Sequence, residues 1–241
     1  MSHPVAQLSL AVPAYFHPAA SPNNWQQLVE LAPMLRFVII NVHNGPGEAP
    51  DPSYLPVVEA LRAAGIRTVG YVDTNYGRRI PADIGREVHA YRDWYGVQGV
   101  FMDQVSSGLD QLDHYAQCVV AARTAGAPFV VLNAGTEPHP GYVDLANVTV
   151  TFEGPWAAYV DLRIPDWARR YPSSRFCHLV HSVPRGRFAD GLDLAAKRHV
   201  GSVFLTDGRG SNPWDHVPPL LPPLLAKERA QNQLSVGSMK R

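Results

Sequence analysis

The chain has 241 residues, 46% of them hydrophobic and 17% charged, and its 21 Lys and Arg balance 21 Asp and Glu. An average soluble protein carries roughly 25% charged residues, so this composition excludes a disordered polyelectrolyte. Zero net charge offers no electrostatic footprint for nucleic acid or an anionic membrane, and no run approaches the ~18 apolar residues of a membrane span.

In chain order, short β-branched runs alternate with longer amphipathic ones. "LSLAV" (8–12) precedes "NWQQLVELA", and "FVIIN" (37–41) precedes "YLPVVEALRAAG", which closes on Gly65 as a C-cap. "RTVGYV" (67–72) leads to "PADIGREVHAYRDWYG", where Pro81 suits a helix start. "GVFMD" (99–103) leads to "LDQLDHYAQCVVAARTAG", ending in Gly126, and "PFVVLN" (128–133) precedes a short "GYVDLA". "VTVTFE" (148–153) precedes "AAYVDLRIPDWARRY", and "RFCHLVHSV" (175–183) precedes "FADGLDLAAKRHVG". Finally "SVFLT" (202–206) precedes "PPLLPPLLAKERAQNQ".

These are eight strand–helix units whose strands are nearly continuous apolar runs, as expected for a parallel sheet buried on both faces. Eight units in a chain close to ~250 residues predict a single-domain (β/α)8 barrel, an α/β fold. The rival is a doubly wound open sheet, but no strand is followed by GxGxxG or a P-loop. The barrel is expected over 1–230, with a disordered tail over 231–241. Cys118 and Cys177 show no CxxC spacing and are expected to be buried thiols, with pairing as the alternative. The first residues lack the basic and apolar regions of a signal peptide. As given the chain reads as cytoplasmic, and a removed leader would leave the same sequence.

Such barrels build their sites from the C-terminal strand ends. Those ends carry Tyr15 and His17; Asn41, His43 and Asn44; Tyr71, Asp73, Thr74 and Tyr76; Asp103 and Gln104; Asn133; Glu153; His178 and His181; and Thr206 and Asp207. Carboxylates and amides suit sugar hydroxyls, and aromatic faces suit the apolar face of a pyranose. Asp103 and Glu153 end strands four and six, a placement that lets two carboxyls face each other, as glycoside hydrolysis requires. The bland alternative for either is a surface acid at a helix N-terminus.

A binuclear metal site from His17, His43, Asp73, His178 and His181 is the less favoured reading, because strand one lacks an HxH pair and no HExxH follows. The chemistry is therefore expected to need no metal or organic cofactor. Alternation along strand seven points His181 inward toward substrate and His178 toward the helices. Tyr71 and Tyr76 flank Asp73, which could pair with a substrate ammonium or cap a turn. Asn41 and Asn133 suit hydroxyls or loop ties, and Trp156 suits stacking on a sugar ring. Trp94 is expected in the core.

The segments "VPAYFHP" (12–18), "INVHNGPG" (40–47), "GYVDTNYGRR" (70–79), "WYGVQGVFMDQ" (94–104), "VLNAGTEP" (131–138) and "VTFEGPW" (150–156) resemble, in order, those of the spherulation-specific family 4, or spherulin-4 family. The resemblance implies a (β/α)8 barrel and hydrolysis of galactosamine-containing polysaccharide, partly N-acetylated chains included. It places an Asp-Glu pair after strand four and a Glu after strand six. Asp103 and Glu153 match, but Gln104 stands where the family has Glu. Either Asp103 and Glu153 are the working couple and Gln104 binds a hydroxyl or supports them, or activity is impaired and the barrel only holds a saccharide. A structural role in a dormant state is a third reading.

Overall fold

A computed structural model describes residues 7–238. The strands are β1 (Ser9–Ala14), β2 (Leu35–Ile40), β3 (Thr68–Asp73), β4 (Gly99–Asp103), β5 (Phe129–Asn133), β6 (Val148–Pro155), β7 (Phe176–His181) and β8 (Ser202–Leu205). The helices are α1 (Pro22–Glu30), α2 (Tyr54–Ala63), α3 (Pro81–Tyr95), α4 (Leu112–Thr124), α5 (Gly141–Leu145), α6 (Trp156–Val160), α7 (Phe188–Lys197) and α8 (Leu221–Ser238). All eight expected strands are present, and they close in sequence order into one barrel of parallel strands. Helix α8 runs through Ser238, into the stretch expected to be a tail.

The apolar runs explain the closure. In a parallel barrel each strand packs on the interior through one face and on the helices through the other. Phe37–Ile40, Val100–Met102 and Val130–Leu132 are accordingly almost wholly buried. Pro81 opens α3, and Gly96 ends it with φ 68°, the left-handed conformation that a side chain disfavours. Gly70 permits a close approach: a Cβ there would lie 2.4 Å from the Tyr91 ring of α3. Trp94 packs against the core, and Cys118 and Cys177 are buried free thiols.

Two irregularities position the site. Strand β6 carries a register shift against β7 between Val150 and Phe152. Thr151 bonds His178 and Phe152 packs on Tyr159 and His178, so two consecutive side chains face the helical layer. The bulge thereby resets the alternation and turns Glu153 inward. The second irregularity is the closure itself: β1 meets β8 through Ser9↔Ser202 and Leu10↔Val203 alone. No helix among the described residues is long and apolar enough to cross a membrane.

Candidate active site

Strands β3 to β6 deliver one polar side chain each to the barrel mouth. Asp103 ends β4 in register with Asp73 of β3. The Tyr71 hydroxyl donates to Asp103 Oδ2 at 2.8 Å, and Asn133 Nδ2 donates to Asp103 Oδ1 at 2.6 Å. The same Asn133 nitrogen donates to Glu153 Oε2. One amide group therefore touches both carboxylates, and their nearest oxygens are no farther apart than two hydrogen bonds laid end to end. That falls near the ~5–5.5 Å spacing of retaining glycosidases and short of the ~6.5–9.5 Å of inverting ones.

The orientation of that amide is fixed from the loop behind it. Gly135 N–H donates to Asn133 Oδ1 at 3.0 Å, leaving only the NH2 end to face the acids. The Gly135 carbonyl in turn accepts from Glu153 N–H at 2.9 Å. Gly135 has φ 64°, and a Cβ there would sit 3.6 Å from that of Glu153. A left-handed glycine thus ties the ends of β5 and β6 together.

The environment separates the two acids. Burial pushes the Glu153 carboxyl up to about 7, the nearby Asp103 charge adds to this, and Asn133 and Trp214 as donors oppose it. Burial also raises Asp103, but donors from Tyr71, the Gln104 backbone and Asn133 oppose the rise. Asp103 has more donors to its ionised form, so it holds the charge while Glu153 keeps the proton near neutral pH. Burial and the two carboxylates hold the Tyr15 and Tyr71 phenols well above their ordinary range, so both stay donors.

The acids open into a cleft of about 510 Å3, within the ~300–1,000 Å3 usual for ligand pockets. Tyr15, His17, Asn41 and Tyr71, all expected at the site, line it. Tyr15 meets Tyr71 edge-on at 5.7 Å. At the mouth His17 Nε2 pairs with Asp51 at 2.9 Å, and Asn41 Oδ1 accepts from Gly45 N–H. Asn133, expected to bind a hydroxyl or tie a loop, bonds the Gly135 N–H of its loop and both acids.

Five other expected residues lie elsewhere. Gln104 adopts φ 53°, and its carbonyl accepts from Tyr76 N–H and the Thr74 hydroxyl. Its side chain neither lines the cleft nor makes a hydrogen bond among the described residues. Asp73 Oδ1 accepts from Asn75 N–H, the turn-capping role weighed against ammonium binding. Tyr76 stands exposed beyond the cleft. Trp156 packs on Tyr159 and toward Gly191 of α7, in the helical layer. His181 bonds the Ser182 hydroxyl and packs edge-on against Trp214, behind the cleft wall. His178 is buried against Tyr159 and Thr151, as alternation predicts, and burial lowers it to about 3, so it stays neutral.

Sequence reasoning missed the part of the cleft lining that follows β8. Ser211, Asn212 and Trp214, from the loop after β8, line the cleft beside Tyr15, and Asn212 Nδ2 donates to the Tyr15 carbonyl at 2.9 Å. Tyr54 of α2 also lines the cleft, with its hydroxyl on the Asn41 carbonyl. The one signal available was the Asn and Trp of "GSNPWDH", between the strand and the helix of the last unit.

The profile of the spherulation-specific family 4 matches residues 9–226. The chain belongs to this family. Spherulin-4 of Physarum polycephalum is 28% identical over 215 residues, covering 83% of this chain and 64% of its own length. The family member described here thus spans about two-thirds of that relative. Among solved structures, Aspergillus clavatus Sph3, crystallised with GalNAc, superposes with a TM-score of 0.80 at 22% identity, over 94% of this chain and 100% of that one. A chitinase from Rhizomucor miehei superposes with a TM-score of 0.58 at 11% identity, over 92% and 99%. At these identities the two likenesses establish the shared barrel.

Proposed function

We propose that this family 4 barrel is a retaining glycoside hydrolase that cleaves an amino-sugar polysaccharide of the galactosamine or N-acetylgalactosamine type. The observation that carries the reading is the Asn133 amide, which donates to both Asp103 and Glu153 and so keeps their nearest oxygens within two hydrogen-bond lengths, which supports double displacement over inversion. GalNAc in the Sph3 structure supports the sugar class.

In this reading Asp103, charged and backed by Tyr71, attacks the anomeric carbon and forms a glycosyl ester. The glycosidic bond breaks as Glu153 gives its proton to the leaving oxygen. Glu153, now a carboxylate, takes a proton from water; the resulting hydroxide attacks the same carbon and releases Asp103. A Glu153 carboxyl near 7 suits both halves, because an acid–base group works best close to the operating pH. The position of Gln104 off the cleft supports activity without an acid at 104, against the reading of a disabled saccharide binder.

The test is release of reducing ends from galactosamine oligosaccharides, fully and partly deacetylated. Wild type should cleave, and Asp103→Asn and Glu153→Gln should each lose ~10²–10⁴-fold or more. Binding by wild type without cleavage would identify the saccharide-holding barrel instead.

A further inference from the structure

The loop after β3 holds an exposed aromatic residue in a strained backbone, and the cleft chemistry makes no use of it. Asn75, Tyr76 and Gly77 are successively left-handed, with φ of 46°, 53° and 82°. Two of the three carry a Cβ that disfavours this region, and runs of such residues are rare. Backbone strain of this kind persists only where surrounding structure imposes it, and it clusters at ligand clamps.

Here the imposing contacts are specific. Tyr76 N–H donates to the Gln104 carbonyl at 2.9 Å, and the Ser106 hydroxyl donates to the Tyr76 carbonyl at 3.0 Å. Asp73 caps Asn75 N–H, and Arg79, paired with Glu87, donates to the Asp73 carbonyl at 2.8 Å. Both peptide groups of Tyr76 are thus tied to the segment that follows Asp103, yet its side chain is 59% exposed. Ile80 and Leu109, in the segments that follow β3 and β4, are also exposed.

We infer that Tyr76 is a stacking platform for a further pyranose ring of the saccharide chain whose scissile bond sits at Asp103, so that the enzyme takes oligomers in preference to single sugars. This rests on the hydrolase reading and extends it beyond the cleft. The platform is continuous with the acid site through the Tyr76–Gln104 backbone bond, one residue from Asp103. A phenol ring offers a flat apolar face to the C–H side of a sugar at little cost in side-chain entropy. The cost of displaying it falls on the left-handed backbone.

The experiment is calorimetric titration of Glu153→Gln protein with N-acetylgalactosamine and its oligomers up to eight units, with and without Tyr76→Ala, Tyr76→Phe and Tyr76→Gly. Affinity should rise with chain length when Tyr or Phe occupies position 76. In the Ala and Gly variants the longer oligomers should bind about tenfold more weakly, while the monosaccharide, which reaches only the cleft, binds alike in all. Tyr76→Gly should also raise Tm by about 2–4 °C by relieving the left-handed strain. Equal affinity of every variant for every length overturns the platform and leaves the cleft reading intact. A fall in Tm with weaker binding at all lengths overturns it in favour of a structural role. No binding by the parent protein removes the hydrolase reading and the platform with it.

Discussion

Tyr71 and Asp103, on neighbouring strands, share a 2.8 Å hydrogen bond in which the phenol donates and the carboxylate accepts. Tyr71 stays a donor at any working pH, because burial and the Asp103 charge both oppose its ionisation. The bond favours the charged form of Asp103. That separates two buried acids that a single amide otherwise treats alike.

The assigned roles predict different responses to the leaving group. Glu153→Gln should lose ~10²–10⁴-fold on natural saccharides but much less on aryl glycosides whose phenolate leaves without a proton. Asp103→Asn should lose both substrates. Steady-state rates on the two substrate types decide it, and equal losses in Glu153→Gln would exchange or abolish the roles.

The pH profile follows from the same pair. Cleavage needs Glu153 protonated, so kcat/KM should fall above about pH 7, and it should fall at acid pH as Asp103 takes up a proton. Stability follows the sign of the shift. A folded Glu153 near 7, above the ordinary 4.5, binds its proton more tightly than the unfolded chain does. Its contribution is complete below about pH 4.5 and is lost as pH rises through 7, on the order of 3–4 kcal/mol in all. Denaturant unfolding at pH 4.5 and 8 should show this difference in wild type and not in Glu153→Gln.

Asn133→Ala should slow cleavage by roughly 10–100-fold, the equivalent of one charge-assisted hydrogen bond of ~1.5–3 kcal/mol. The lost donor had held both acids down, so both limbs of the pH profile should move upward. A merely structural Asn133 would lower the rate and leave the limbs in place.

Gln104→Glu should change kcat/KM by no more than about twofold, because the contacts of this residue run through its carbonyl. Gln104→Gly should stabilise the fold by ~0.5–1 kcal/mol, since glycine adopts φ 53° without strain. A large gain of activity in Gln104→Glu would restore the reading of a disabled relative.

The barrel and the acid pair were legible for one reason. A strand buried on both faces is a continuous apolar run, and an acid that ends such a run stands out against it. The misplaced residues sit where the backbone departs from simple alternation. Gln104 and Tyr76 take left-handed conformations, and neither reads as a turn residue in the way glycine does. Trp156 follows the β6 bulge and begins a helix, so its side chain joins the outer layer. Asn133 stands beside both acids, and the orientation of its amide depends on the Gly135 N–H, a loop contact without sequence periodicity. Trp214 lies in an irregular segment after the last strand, where no period exists to count.

The narrow junction of β1 with β8 has a consequence for the whole molecule. At this junction the cleft is lined by Tyr15, which follows the first strand, and by Asn212 and Trp214, which follow the last, with Asn212 bonded to the Tyr15 carbonyl. Under the proposed function, a saccharide that touched both Tyr15 and Trp214 would act as a bolt across the joint where the two ends of the barrel meet. Occupancy of the cleft should therefore slow hydrogen exchange at the Ser9–Leu10 and Ser202–Val203 amides, coupling what the protein binds to how firmly its ring stays shut.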